Sequence, residues 1–357
     1  MSSVSEGLAA PDGIPRGSRT WTRTTLVFAA LLALLGVSLL VSLCAGRFGV
    51  PVGRALALIW QGLTDPSAPL QAMDERIVLL VRAPRVVLAA LAGAGLAVCG
   101  AALQGVFRNP LVSPDILGIS QGAAFGGALA IMLGIWGFPL IAMVFVAGLA
   151  ALVLVGFLAR ISGRTETVTV ILSGLVVSSV FAAVVSLLQF VADPESSLPA
   201  IVYWLMGSFS SATWERVLIA APGLILGALL LWSLRFRLNV LALDEAEAKS
   251  LGAKTERERW LIFGLVAIIV GSQVAVSGII GWIGIVIPHA ARLLVGHDHR
   301  AMLPASIVLG AAFTTIIDTL ARTATAAEIP LGVITALVGA PIFAVLLRRH
   351  YRERSDR

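Results

Sequence analysis

The chain has 357 residues, of which 58% are hydrophobic and only 13% charged, with a formal net charge of +6 and a mean hydropathy of +0.95. A soluble globular domain carries roughly 25% charged residues, so this composition excludes an ordinary soluble fold. The positive balance is not a nucleic-acid signature either, because its distribution along the chain follows membrane topology.

Residues 1–25 contain Pro, Gly, Ser and three arginines but no apolar period, which predicts a disordered cytoplasmic tail. Apolar segments of spanning length then follow. Residues 26–46, 86–107 and 167–192 contain no charged side chain, and each meets the ~20 residues a transmembrane helix requires. Residues 116–159 are also uncharged but about twice the length of one span, and Gly134, Gly137 and Pro139 mark the break. In chain order the length rule gives ten spans near 26–46, 86–107, 116–134, 139–159, 168–192, 217–234, 260–277, 279–296, 303–321 and 330–347. The reading is therefore an all-α polytopic membrane protein, with a transmembrane domain over 26–348 and a basic tail over 349–357.

Charge orients the bundle. With both termini in the cytoplasm, eighteen of the 26 Lys and Arg residues fall on inner segments and seven on outer ones, the asymmetry that the positive-inside rule expects. The basic tail suits contact with anionic lipid. Two outer segments are longer than a turn. Arg47–Arg85 is amphipathic and mixed in charge. Residues 198–214 (LPAIVYWLMGSFSSATW) are apolar but short and hold Tyr203, Trp204 and Trp214, which favour the interface, so a re-entrant or surface helix is expected there. Cys44 and Cys99 lie in apolar runs and read as packing residues.

The longest inner loop, 235–259, contains a short helix written by its own end signals. Asp244 with Glu247 makes a capping-box pattern, Glu245 and Glu247 are acidic in the first turn, and Lys249 is basic in the last. Gly252 after Leu251 is a C′ stop. The aliphatic neighbours Leu238, Val240, Leu241 and Leu243 require a covering surface, which favours a docking element over a simple solvated loop.

Residues 281–300 (GWIGIVIPHAARLLVGHDHR) hold three of the four histidines. His289, Arg292 and Gly296 share a helix face, and His297 and His299 fall in the next turn. His-Asp-His invites a metal reading, yet no third ligand stands at a suitable spacing. A polar inner helix end is preferred, with a proton relay as the remaining alternative. Asp318 and Arg322, four residues apart on span nine, can pair on one face.

Several motifs together resemble the permease subunits of iron-siderophore, haem and cobalamin ABC importers. They are Arg82-Ala-Pro-Arg85, residues 100–104 (GAALQ), residues 108–118 (RNPLVSPDILG), residues 203–208 (YWLMGS), the capped loop, residues 281–300 and residues 328–332 (EIPLG). Each is short, but their order along ten spans is specific, and the likeness covers nearly all of the chain after the tail. The resemblance implies a type II importer permease fold in the inner membrane, working with a second permease copy, two ATPase subunits and a periplasmic or lipid-anchored substrate-binding protein. It assigns Arg82, Arg85 and Arg322 to docking of the binding protein. It assigns Asn109 and Thr167 to a cytoplasmic gate, and Leu241, Asp244, Glu245, Leu251 and Gly252 to ATPase coupling. It implies no resident metal or cofactor. The chain has no G-x-x-x-x-G-K-[ST] phosphate loop, so ATP hydrolysis is expected of a partner. Ferric siderophore is the leading cargo, with haem, cobalamin and molybdate-type oxyanions as alternatives. An ion-coupled transporter would need ionisable groups near mid-membrane, and Asp318, His289 and Arg292 lie toward span ends. An intramembrane enzyme lacks any catalytic constellation.

Overall fold

The computed structural model describes residues 17–65, 69–160, 167–325 and 327–355. Its helices, in chain order, are α1 (Gly17–Cys44), α2 (Val52–Thr64) and α3 (Met73–Val106), then α4 (Ile119–Met132), α5 (Phe138–Arg160), α6 (Thr167–Val191) and α7 (Ser197–Leu205). After these come α8 (Trp214–Ser233), α9 (Arg235–Leu241), α10 (Glu245–Ser250) and α11 (Thr255–Ser277), followed by α12 (Ile283–Val295), α13 (His299–Thr323) and α14 (Leu331–Ser355). Among the described residues, seven helices are long and apolar enough to cross a bilayer, and α4, α12 and α14 add shorter apolar stretches. These ten coincide in order with the ten predicted segments. The break at Gly134 and Gly137 is present, both glycines adopting positive φ, and the 198–214 segment forms the short helix α7.

Three boundaries differ from expectation. The predicted tail, residues 1–25, falls partly outside the described residues, but Gly17–Thr25 already belong to α1. At the other end, α14 continues through the basic segment to Ser355. The second span begins well before residue 86, because α3 is one 34-residue helical run from Met73. Apolar length alone missed this start, since Asp74, Glu75, Arg76, Arg82 and Arg85 interrupt the hydrophobic run. Ile77–Arg82 winds as a π-helix just before Pro84, where the wider turn lets the chain pass a residue with no N–H.

α3 is the hub. Of its most apolar window 78% is buried, against 17% for α1, whose outer faces are left to lipid. One stripe of α3 explains this. A Cβ on Gly93 would collide with Gly310 O and Thr314 of α13, and a Cβ on Gly100 would collide with Gly284 O of α12. Gly310 is tight in return against Gly93 O, and Gly284 is tight against Pro114 of the loop that follows α3. Small residues permit this backbone contact, which in a bilayer replaces the hydrophobic effect as the source of helix association.

α4 and α12, of 14 and 13 residues, rise only about 20 Å and fall short of a ~30 Å hydrocarbon core. Non-helical backbone completes their depth, which is tolerated only where it is buried in protein. Residues 278–282 do this beside α12. Ser208 N–H donates to Ser277 O (2.8 Å), Leu331 N–H to Gly207 O (2.9 Å) and Gly332 N–H to Met206 O (2.9 Å). The motifs at 203–208 and 328–332 thus meet the 277–282 segment, which runs into the 281–300 motif, through backbone bonds and glycines. Trp282 has φ +69°, a strained value for a bulky residue, and stands against Gly339.

Gly100→Leu should therefore prevent close packing of α3 on α12 rather than merely loosen it. The expected cost is roughly 3 kcal/mol, the upper part of the range for overpacking. It would be read as a lowered unfolding temperature and loss of the monodisperse peak in detergent. Ala at Gly264, where an added Cβ meets nothing within 4 Å, should leave both unchanged.

Candidate functional site

At one end of the bundle, three arginines form a buried cluster. Arg82 donates to Leu43 O (2.8 Å), Cys44 O (2.9 Å) and Phe48 O. Arg322 donates to Ala45 O (2.7 Å) and to the backbone oxygen and hydroxyl of Ser42. Between them these two satisfy the carbonyls at the C-terminal end of α1, which no helical N–H can reach. Arg85 bonds both oxygens of Asp318 (2.9–3.1 Å) and reaches Glu328 with Nη1 at 2.9 Å. Arg82, Arg85 and Arg322 are 5%, 6% and 9% exposed and Asp318 is 0% exposed. These guanidinium groups therefore face this chain's own oxygens rather than the end surface. The expected Asp318–Arg322 pair is the weaker contact, at 3.8 Å, and Asp318 is held by Arg85 across helices instead. Sequence spacing favoured the four-residue pair because only α3 packing on α13 brings Arg85 near.

The opposite end carries a second polar group of residues. Gln104 accepts from Arg292 Nη2 (2.7 Å) and its amide donates toward Val112, Gly284 and Ile285 carbonyls (3.4–3.5 Å), joining α3, α12 and the loop between α3 and α4. The helix α3 closes in a Schellman turn. Asn109 N–H bonds Gln104 O, Arg108 N–H bonds Gly105 O, and Arg108 sits at C′ with φ +51°, where Gly is usual. Asn109 accepts from Leu111 N–H (2.9 Å) in an Asx turn. Thr167, the other gate candidate, opens α6 and lines a small cavity beside Phe107 and Trp260. These contacts hold the turn itself, and nothing in them brings the two residues together.

The predicted coupling helix is α10. Its stop is present: Gly252 has φ +77°, with Gly252 N–H on Lys249 O and Ala253 N–H on Ala248 O. Its start differs. Asp244 makes no side-chain cap and instead pairs with Arg108 at 2.5 Å, so the capping box is not formed. Glu245 bonds Lys249 (2.8 Å) and lies 3.6 Å from Arg259 of α11. The Lys249 ammonium, first, and Arg259 hold the Glu245 carboxyl below its ordinary pKa. Leu238 and Leu241 are buried, which corrects the view that this aliphatic group awaits a partner: its surface is α9 packed on α3 and α13. Leu251, 58% exposed, remains available.

The histidines separate. His289 is buried with its ring edge toward Phe343. Asn239 Oδ1 accepts from both the backbone N–H (2.9 Å) and Nδ1 (2.8 Å) of His299, and the other ring nitrogen lies against Gly105. Asp298 caps α13 through Arg300 N–H and also binds the Arg300 guanidinium (2.6–2.7 Å) and Asn239 (2.8 Å). The Arg300 guanidinium, first, and Asn239 push its carboxyl well below the usual range. A depressed carboxylate contributes stability above its unfolded value, near 4, and that contribution is lost only as pH falls further. Among the described residues, no group of three or more His, Cys, Asp or Glu could hold a metal ion.

Asp318→Ala should cost about 3 kcal/mol, the lower part of the range for breaking a buried pair, because Arg85 loses its fully buried carboxylate and keeps only the partly exposed Glu328. The double variant Asp318→Leu with Arg85→Met should recover most of that loss. By contrast, Asp244→Ala, which removes a mostly exposed pair, should cost less than about 1 kcal/mol. Thermal unfolding in detergent measures all three.

Comparisons with known proteins agree with this architecture. Residues 33–349 match the FecCD transport family. The chain is 41% identical over 337 residues to the molybdate import system permease protein MolB of Haemophilus influenzae, covering 94% of this chain and 96% of that protein. It is 41% identical over 273 residues to a probable iron chelatin transport system permease protein of Helicobacter pylori, covering 76% and 82%. A solved structure described as an inward-facing conformation of a metal-chelate type ABC transporter superposes with a TM-score of 0.81 at 40% identity, covering 91% of this chain and 99% of that one. Fold, motif order and sequence agree: the chain belongs to the FecCD transport family, and is an ABC importer permease of the multi-pass, inner-membrane kind.

Proposed function

We propose that this chain is one of two identical permease copies through which an iron complex, most simply a ferric siderophore, is driven by two partner ATPases. A periplasmic or lipid-anchored binding protein delivers the complex at the arginine end. The observation that carries the reading is how α10 is mounted. It is joined to α3 through Asp244–Arg108 and to α11 through Glu245–Arg259, so a push on α10 reaches the hub helix directly. With Leu251 exposed at its end, α10 is suited to contact an ATPase, Asp244 and Glu245 to pass on the movement, and Gly252 to fix its exit. Leu241 acts from beneath, as an anchor. Asn109 and Thr167, at the same end, serve the inner gate.

At the other end, Arg85 is the docking residue most open to exchange. Its partner Glu328 is about one-third exposed, so a carboxylate from a binding protein could replace it. Arg82 and Arg322 then act by holding α1 and α13 in place around it.

The iron reading is supported by relatives named for iron chelatin and hemin and by the metal-chelate type structural relative. A molybdate-type oxyanion is the second reading, favoured by the relative that matches 94% of this chain at 41% identity. Cells with the chain as their sole such permease should accumulate ferric chelate and not molybdate. The reverse result would transfer the chain to the oxyanion reading. Leu251→Glu should abolish uptake and release the ATPase during purification while the permease stays folded. Unimpaired uptake by that variant would remove α10 from coupling.

A further inference from the structure

Two adjoining hollows at the basic end share Arg160 and Trp260. The first is an apolar groove of about 530 Å³ between α5 and α11, walled by Leu152, Val153, Gly156 and Phe157. Val153 and Phe157 are 71% and 69% exposed on a membrane-spanning helix, so the groove opens toward lipid. The second is a cup of about 510 Å³ that adds Lys249, Lys254, Arg257 and Glu256. Arg160 marks the junction, its guanidinium carbon 5.7 Å from the centre of the Trp260 ring. Gly156 makes that junction possible, since a Cβ there would already be 3.0 Å from the indole edge.

Among the described residues four cations therefore surround the cup. Two described carboxylates oppose them, Glu256 on the rim and Glu245 bonded to Lys249, which leaves a positive excess among those residues. An apolar groove leading from the hydrocarbon region into a basic cup at its edge fits an amphiphile with an anionic head. Basic pockets between helices recognise lipid head groups in this way, and a Trp at the interface suits the level of the head group. A soluble anion would have no use for the groove, and a neutral lipid none for the cup.

We propose that this double hollow is a binding site for an anionic phospholipid, with an acyl chain along Leu152–Phe157 and the phosphate between Arg160, Lys249 and Lys254. Lys249 belongs to α10, so the bound lipid braces that helix against the bilayer. The brace bears on transport only if α10 couples to an ATPase, whereas lipid binding itself does not depend on that reading.

The test is a titration of the full chain in detergent with phosphatidylglycerol or phosphatidylcholine, counting retained lipid by native mass spectrometry. Phosphatidylglycerol should be retained at low ratio and phosphatidylcholine should not compete. Arg160→Gln with Lys254→Gln should weaken retention roughly tenfold or more, because each removes a basic side chain that attracts the anionic head group. Val153→Trp, which fills the groove from its lipid side, should weaken it independently of charge. Arg237→Gln, a basic side chain at the same end but outside the cup, should change nothing. Equal retention of both lipids, equal loss in the Arg237 variant, unchanged binding in the double variant, or displacement by inorganic phosphate would each overturn the proposal.

Discussion

At Gly93 and Gly100, α3 comes so close to α13 and α12 that backbone touches backbone, and the remaining architecture follows from that contact. In a bilayer, apolar side chains gain nothing from leaving lipid for protein, so close packing and polar contacts must hold helices together. The stripe Gly93–Ala97–Gly100–Gln104 supplies both on one face of α3. Its glycines bring α12 and α13 in, and Gln104 then bonds the carbonyls of Gly284 and Ile285 that this approach has placed within reach. The same approach brings Arg85 to Asp318, 233 residues away in sequence.

Polar groups sit at the two ends of the bundle and have different characters. At the arginine end the charges are buried and directed inward, capping α1 and neutralising Asp318. At the basic end the pairs around α10 are largely exposed and individually weak. Such an arrangement allows one end to keep its shape while the other shifts in response to a partner. α10 is short, bounded by Gly252, and attached by two ion pairs rather than by a core of its own, which is the construction expected of a part that moves with what it touches.

Much of this was legible in sequence because membrane spans are long and apolar and their order is fixed by length. The Gly134 and Gly137 break, the short 197–205 helix and the Gly252 stop all follow from local signals. What failed required tertiary contact. Asp244 has the sequence of an N-cap, yet Arg108, held in a left-handed turn at the end of α3, draws its carboxylate away. Leu238 and Leu241 looked exposed because a loop between spans was assumed to leave the bundle, whereas α9 folds back on it. The early start of α3 was hidden by charged residues that an apolar window rejects. The role of Gln104 was hidden within a short motif whose chemistry appears only when Gly284 stands opposite.

The central proposal is that this chain is a passive conduit, rearranged by ATP hydrolysed in a partner. The most direct measurement is uptake of labelled ferric chelate, presented on its binding protein, into proteoliposomes holding the chain with or without its co-purified ATPase. The account predicts uptake only with the ATPase and ATP present, unaffected by collapsing ion gradients. Uptake by the chain alone, driven by an ion gradient and abolished by substitution of Asp318 or His289 in a variant that still folds, would contradict it.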